Sequence, residues 1–223
     1  MKWLQYLKYF FYVGINWNWK IAFIILHQEI KGEKKYGIDT TGADELKTLK
    51  SKGIDISHST IYMPVTYKVI ENAFDQLNLK DNTHFLDIGC GKGRALCIAA
   101  HRGFKKITGV DFSKKFCEQA TENLALTSIQ IPGINYAVIL ADAAKFTIPA
   151  DVDCILLFNP FDNVIMEMVL NNIKNSLQSN PRKMNIIYAN PLYKNLFLKE
   201  GFTEIYHNKS YEYFEVSILS FRQ

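Results

Sequence analysis

The sequence predicts an α/β fold, a mostly parallel doubly wound sheet with crossover helices, preceded by a helical arm. Three observations predict it. From Thr83 onward, short β-rich runs alternate with stretches of helical period. The first run enters a glycine-rich turn and then a helix. The last two runs follow each other with no helix between them.

The arm comes first in the chain. Trp3, Leu4, Leu7, Phe10 and Phe11 recur at helical spacing, Gly14 to Asn18 reads as a break, and Ile21, Ile24 and Ile25 resume the pattern, so two short amphipathic helices are expected. Nine of the 30 aromatic residues, including all three tryptophans, fall within residues 1 to 23. Lys8 and Lys20 interrupt the segment, and its longest apolar runs, Tyr9 to Ile15 and Ile21 to Leu26, are too short to span a bilayer. The features of a cleaved signal peptide are missing as well. The favoured reading is an arm packed on the domain with its aromatics as core; a lid over the site ranks second, and peripheral membrane contact through residues 1–26 third.

From Lys31 to His58 the chain turns polar and glycine-rich, which predicts a connector with one short helix at Ala43 to Lys50. The expected division is an arm and connector over 1–58 and a ligand-binding domain over 59–223. A helix is predicted from Pro64 to Leu77, with Val65, Val69, Ile70, Phe74 and Leu77 on its apolar side. The candidate strands are Thr83 to Ile88, Lys106 to Asp111, Asn135 to Ala141, Cys154 to Phe158, Met184 to Ala189, Thr203 to His207 and Glu212 to Phe221. Helices are predicted at Gly93 to Arg102, Lys114 to Leu124, Asn163 to Leu177 and Leu192 to Lys199, and a hairpin turn at His207 to Ser210.

Composition sets the function classes. A chain of 223 residues, 48% hydrophobic and 22% charged, can bury a sizeable core, which excludes disorder, collagen and disulfide miniproteins. The net charge of +4 lies mostly within residues 1 to 80, where 11 lysines face 8 acids, so no basic stripe for nucleic acid is present. Cys90, Cys97, Cys117 and Cys154 have no paired spacing and read as free thiols of a reducing, cytoplasmic compartment. His27, His58, His84, His101 and His207 lack metal-ligand spacing, so no metal is expected.

The chemistry concentrates in Phe85-Leu86-Asp87-Ile88-Gly89-Cys90-Gly91-Lys92-Gly93-Arg94. Glycines let the backbone turn sharply beside a ligand, and the helix start offers unpaired N–H groups. A dinucleotide fingerprint would want a small residue where Arg94 stands; a P-loop would want glycine at Leu86 and Ser or Thr at Gly93. Asp87 suits a ligand carrying positive charge near the turn, since a carboxylate repels a pyrophosphate. Asp111, 24 residues later at the second strand's end, can accept two ribose hydroxyls, and Ser113 can cap the next helix. Asp142 ends the third strand, where it can accept an adenine amino proton. Each acid alone reads as a turn former. In this order with GxGxG, they point to one ligand.

These residues resemble the class I S-adenosylmethionine-dependent methyltransferases, with the likeness running from about Tyr62 to the carboxyl terminus. The resemblance implies a Rossmann-like seven-stranded sheet of order 3-2-1-4-5-7-6 with the last strand antiparallel, and S-adenosylmethionine as cofactor. By the same resemblance Gly89, Cys90, Gly91 and Gly93 line the methionine part, Asp111 and Phe112 flank the ribose, and Asp142 with Ala143 flanks the adenine. Phe158-Asn159-Pro160-Phe161 looks like the Asn/Asp-Pro-Pro-Tyr/Phe motif of methyltransferases that modify nitrogen, short of its second proline. Asn159 would touch the cofactor and orient the acceptor, Pro160 constrain it and Phe161 cover it, while Tyr62 would close the methionine end. The implied activity is N-methylation of a protein side chain, lysine favoured, or of a small molecule, with nucleic acid third. The rival readings are a nucleotide-binding oxidoreductase and a noncatalytic membrane-peripheral protein on the same fold.

Overall fold

The structure, a computed structural model, describes residues 2–42, 64–78, 83–158, 161–210 and 214–222. Seven strands, β1 (His84–Ile88), β2 (Lys106–Asp111), β3 (Asn135–Leu140), β4 (Val152–Phe158), β5 (Met184–Ala189), β6 (Thr203–Lys209) and β7 (Glu215–Phe221), form one sheet of order 3-2-1-4-5-7-6. β1 to β5 pair in parallel, and β7 enters antiparallel between β5 and β6, as the resemblance implied. β1 is buried at every position, as a central parallel strand covered on both faces must be. The edge strand β6 alternates between exposed and half-buried residues. The order reverses between β1 and β4, which opens a crevice at their carboxyl ends.

Helices cover both faces. On one side Phe85, Leu96, Phe104 and Ile107 pack with α3 (Tyr67–Asp75), α4 (Arg94–His101) and α5 (Lys114–Gln130). On the other, Leu86, Ile88, Ile155 and Tyr188 pack under α6 (Asn163–Ser179) and α7 (Lys194–Lys199). Ser113 caps α5 by accepting from the Phe116 N–H at 3.4 Å. α5 runs six residues beyond its expected end at Leu124, because Thr127 keeps a buried face against the core. Strand β6 continues to Lys209, into the expected hairpin turn, because Asn208 and Lys209 still pair with Val216 and Glu215. The short helix expected at Ala43 to Lys50 lies outside the described residues.

The arm is a helical hairpin, α1 (Lys2–Asn16) and α2 (Trp19–Tyr36), and it corrects three expectations. First, α1 continues through Gly14, where a Cβ would stand 2.3 Å from the Trp19 ring; the glycine admits that ring and does not end the helix. The break falls at Trp17 and Asn18, whose side chain caps α2 through the Lys20 N–H at 2.7 Å. Second, α2 extends through the supposed connector to Tyr36 and ends at Gly37, whose φ of 68° closes a left-handed cap onto the Glu33 carbonyl. Third, the inward face is Tyr6, Tyr9, Val13, Ala22 and Ile25, while Trp3, Leu4, Leu7 and Phe11 point to solvent.

Beside these apolar contacts, a polar network joins hairpin to core. Arg94, at the start of α4, is 3% exposed, and its guanidinium meets Glu29 of α2 through both nitrogens, at 2.8 and 2.5 Å. It also donates to the Val65 carbonyl at 2.9 Å and to Thr40 Oγ1 at 2.9 Å, and stacks over the Tyr67 ring at 4.1 Å. One turn along α2, Glu33 accepts from the backbone N–H groups of Thr40 and Thr41, at 2.8 and 2.7 Å, and from the Tyr6 hydroxyl. Burial alone would raise the Glu33 carboxyl; hydrogen bonds from Tyr6, Thr41 and Thr40 and the charge of Lys2 outweigh it and hold it below its ordinary value.

Removing one partner of the central pair strands the other's charge. Glu29→Ala is expected to lose about 3–5 kcal/mol of unfolding free energy in urea titrations. Lys35→Ala, which breaks an exposed 2.6 Å pair with Glu71, should lose under about 1 kcal/mol. Equal losses would contradict the ranking.

Candidate active site

The parallel register brings the predicted residues to one edge. Ile88 lies beside Val110 of β2 and Leu157 of β4, so the turn after β1, the end of β2 and the end of β4 are neighbours. Gly89, Gly91 and Gly93 all adopt positive φ, 82°, 52° and 80°, which a side chain at any of them would strain. Gly93 is also pressed against α5, where a Cβ would sit 3.0 Å from that of Ala120. The turn is pinned by the Gly89 and Cys90 N–H groups on the Val110 carbonyl, at 2.8 and 3.0 Å, and by the Gly91 N–H on Asp111 Oδ2 at 2.8 Å.

Asp111 therefore holds the turn as well as ending β2. Its other oxygen accepts from the Ser113 N–H at 2.9 Å. Burial raises its carboxyl above the ordinary value, and backbone hydrogen bonds from Ser113 and Gly91 oppose that rise. Asp87 is 5% exposed. Burial first, and the charge of Asp111 second, push its carboxyl up to about 8, so at neutral pH it holds a proton. Two buried acids in one crevice, one held neutral by burial and further by the charge of the other, form a donor set that a cationic ligand completes. A sulfonium amino acid fits that set.

The remaining predicted residues divide. Cys90 is buried, its thiol pushed well up by burial and by Asp111 and Asp87, and packs where a Cβ on Gly109 would lie 2.9 Å from its sulfur. It is a filler under the turn and no nucleophile. Phe112 is half-buried beside Asp111. Asp142 is exposed and its Oδ1 accepts from the Ala144 N–H at 2.9 Å, the turn-forming geometry; Ala143 behind it is buried. Tyr62, Asn159 and Pro160 lie outside the described residues. Phe161 is buried and packs in the cluster beneath α6.

Sequence reasoning missed two sets of residues. The first lines a narrow cleft, with room for about one water molecule, at the carboxyl ends of β4 and β5, walled by Phe158 and Ala189, by Val69 of α3, and by Tyr9, Trp17 and Ile25 of the hairpin. The second is the underside of the glycine turn. Lys92 donates to the Thr41 carbonyl at 3.0 Å, and Asn123 of α5 donates to the carbonyls of Lys92 and Asp39, at 2.9 and 3.1 Å. The segment after α2 thus seats the cofactor turn. A signal existed in the 3- and 4-residue spacing of Ala22, Ile25, Glu29, Gly32, Glu33 and Tyr36, which marks one buried helix face.

A family model described as a methyltransferase domain matches residues 79–196, just over half of the chain. Among curated proteins, one from Danio rerio named EEF1A lysine methyltransferase 2 is 34% identical over 93 residues, 42% of this chain; the chain spans about two-fifths of that protein's length, 39%. Among solved structures, magnesium protoporphyrin IX methyltransferase from Synechocystis, with S-adenosylmethionine bound, superposes with a TM-score of 0.51 at 18% identity, covering 70% of this chain and 79% of that one. A putative methylase from Haemophilus influenzae superposes with a TM-score of 0.53 at 19% identity over 70% and 98%. At these identities the two structures speak for the fold.

The raised Asp87 carboxyl has a signed consequence. The folded chain keeps a proton that the unfolded chain releases near pH 4, so stability falls as pH rises from about 4 to 8. Asp87→Asn should remove that slope. Urea titrations from pH 5 to 8.5 should show the variant gaining on the parent as pH rises; a gap that stays constant would refute the assignment.

Proposed function

The chain belongs to the methyltransferase-domain family, and from that premise we propose that it methylates a nitrogen, with the side-chain amine of a protein lysine as favoured acceptor and a small-molecule nitrogen second. S-adenosylmethionine is the methyl donor, which sets aside the oxidoreductase alternative. When bound it supplies an electrophilic methyl group: the nitrogen lone pair forms the new bond as the carbon–sulfur bond breaks, the positive charge passes to nitrogen, and S-adenosylhomocysteine leaves.

The chain's residues bind and align. In this reading Gly89, Cys90, Gly91 and Gly93 border the methionine part, Asp87 answers its positive charge, Asp111 with Phe112 takes the ribose hydroxyls, and Asp142 with Ala143 borders the adenine. Asn159 accepts an N–H of the acceptor and Pro160 fixes its backbone. Tyr62 closes the methionine end. Phe161 covers the acceptor. A cover of that kind excludes water and holds an amine that has lost its proton to solvent close to the methyl, and such alignment lowers the barrier. Residues 1–58 then act as arm and connector, with the arm walling the cleft, and 59–223 as the catalytic region.

The observation that carries the nitrogen reading is Phe158-Asn159-Pro160 in the sequence at the end of β4, the strand beside the crevice where the sheet order reverses. The partial likeness to a lysine methyltransferase points the same way. Incubating the purified protein with methyl-labelled cofactor and cell extract should put label into the protein fraction, on lysine after hydrolysis. Label in small molecules alone would select the second acceptor class, and label in nucleic acid would overturn the reading.

Asp111→Ala should weaken cofactor affinity about 10- to 100-fold in calorimetry, the worth of hydrogen bonds to a charged group. Asn159→Ala should leave cofactor affinity unchanged and lower turnover. Equal loss of affinity in both would move Asn159 from the acceptor to the cofactor.

A further inference from the structure

The outward face of the hairpin plays no part in the site or the core. Trp3, Leu7, Phe11 and Ile15 follow one another at four-residue steps along α1, with Leu4 beside them, and they are between 47% and 75% exposed. Trp19 and Phe23 of α2, 48% and 65% exposed, continue the patch. Phe10 and Phe11 both contact the Trp19 ring, at 5.6 and 6.0 Å between centroids, and Phe10 reaches Phe23 at 4.9 Å, so the two helices offer one aromatic surface. Contiguous exposure on this scale marks a contact surface in a folded protein.

The charges decide what it contacts. Every lysine between residues 2 and 36 is exposed: Lys2, Lys8, Lys20, Lys31, Lys34 and Lys35. The only two carboxylates there, Glu29 and Glu33, are 0% and 2% exposed and face the core. The exposed formal charge of the hairpin is thus wholly cationic, set around Trp, Phe, Leu and Ile. A second copy of the same face would bring lysines against lysines. An anionic bilayer answers both features, because aromatic and aliphatic side chains enter the headgroup boundary while lysines snorkel to the phosphates. Among the described residues no helix is long and apolar enough to cross a membrane, so the contact is lateral.

We propose that the α1–α2 hairpin docks flat on an anionic lipid surface through Trp3, Leu4, Leu7, Phe11, Ile15, Trp19 and Phe23, with Lys8 and Lys20 at the rim. The full chain is tested by cosedimentation with two kinds of vesicle, phosphatidylcholine alone and equal parts phosphatidylcholine and phosphatidylserine. It should pellet with the anionic vesicles, stay in the supernatant with the neutral ones, and be released by raised salt. Trp3→Ser with Leu7→Ser and Phe11→Ser alters only outward side chains and should abolish pelleting with the far-ultraviolet spectrum unchanged. Lys8→Gln with Lys20→Gln should lower the partition coefficient roughly 30-fold, from about 1 kcal/mol per lysine near the surface. A full chain that remains in the supernatant with anionic vesicles overturns the proposal. So does a vesicle-free dimer that the triple substitution dissociates, which would assign the face to a second copy.

Discussion

The Glu29–Arg94 pair is the constraint on which the rest of the molecule depends. A buried ion pair is a poor source of net stability, because removing both charges from water offsets most of their attraction. Its effect lies in position. Arg94 follows the last glycine of the cofactor turn, and Glu29 lies in the middle of α2, so the pair fixes the hairpin against the turn. Tyr67 then stacks between Arg94 and Tyr36, and Gly32 leaves space for that ring, which a Cβ would approach to 2.4 Å. The inner face of the hairpin, held there, becomes a wall of the cleft at the end of β4.

Beside this satisfied pair stands an unsatisfied one. Asp87 and Asp111 are both buried at the crevice, and burial, with the repulsion between them second, leaves Asp87 protonated. The fold thus carries an electrostatic cost just where a cationic ligand relieves it, a common economy of binding sites. The two arrangements meet in the glycine turn, which Asp111 grips from the sheet through Gly91 and which Arg94 and Lys92 anchor from the hairpin side.

Most of the sheet was legible in the sequence because parallel strands buried on both faces read as apolar runs, and because the glycine turn punctuates the first of them. β2 and β5 lie where the sequence puts them, and the other strands shift only at their ends. The acids at the edge were legible from their order along the chain. The arm was not, for two physical reasons. A helix that buries a carboxylate against an arginine 65 residues away looks polar in sequence, and its last turns, Lys31 to Tyr36, have the composition of a connector. A helix with tyrosines on its buried face and Trp3, Leu7 and Phe11 on the other reverses the usual inference from hydrophobicity to burial, since Tyr6 and Tyr9 bury their rings while Tyr6 keeps a partner for its hydroxyl.

The span between Glu29 and Arg94 also sets an order of events during synthesis. α2 leaves the ribosome before the residue that neutralises it exists, and at about 5–20 residues per second the 65-residue interval lasts about 3–13 s. Through that interval the nascent hairpin has Glu29 without its counter-charge and both of its apolar faces open to solvent or to chaperones. Its final seating on the core is a late step, completed from downstream, although the hairpin itself is made early.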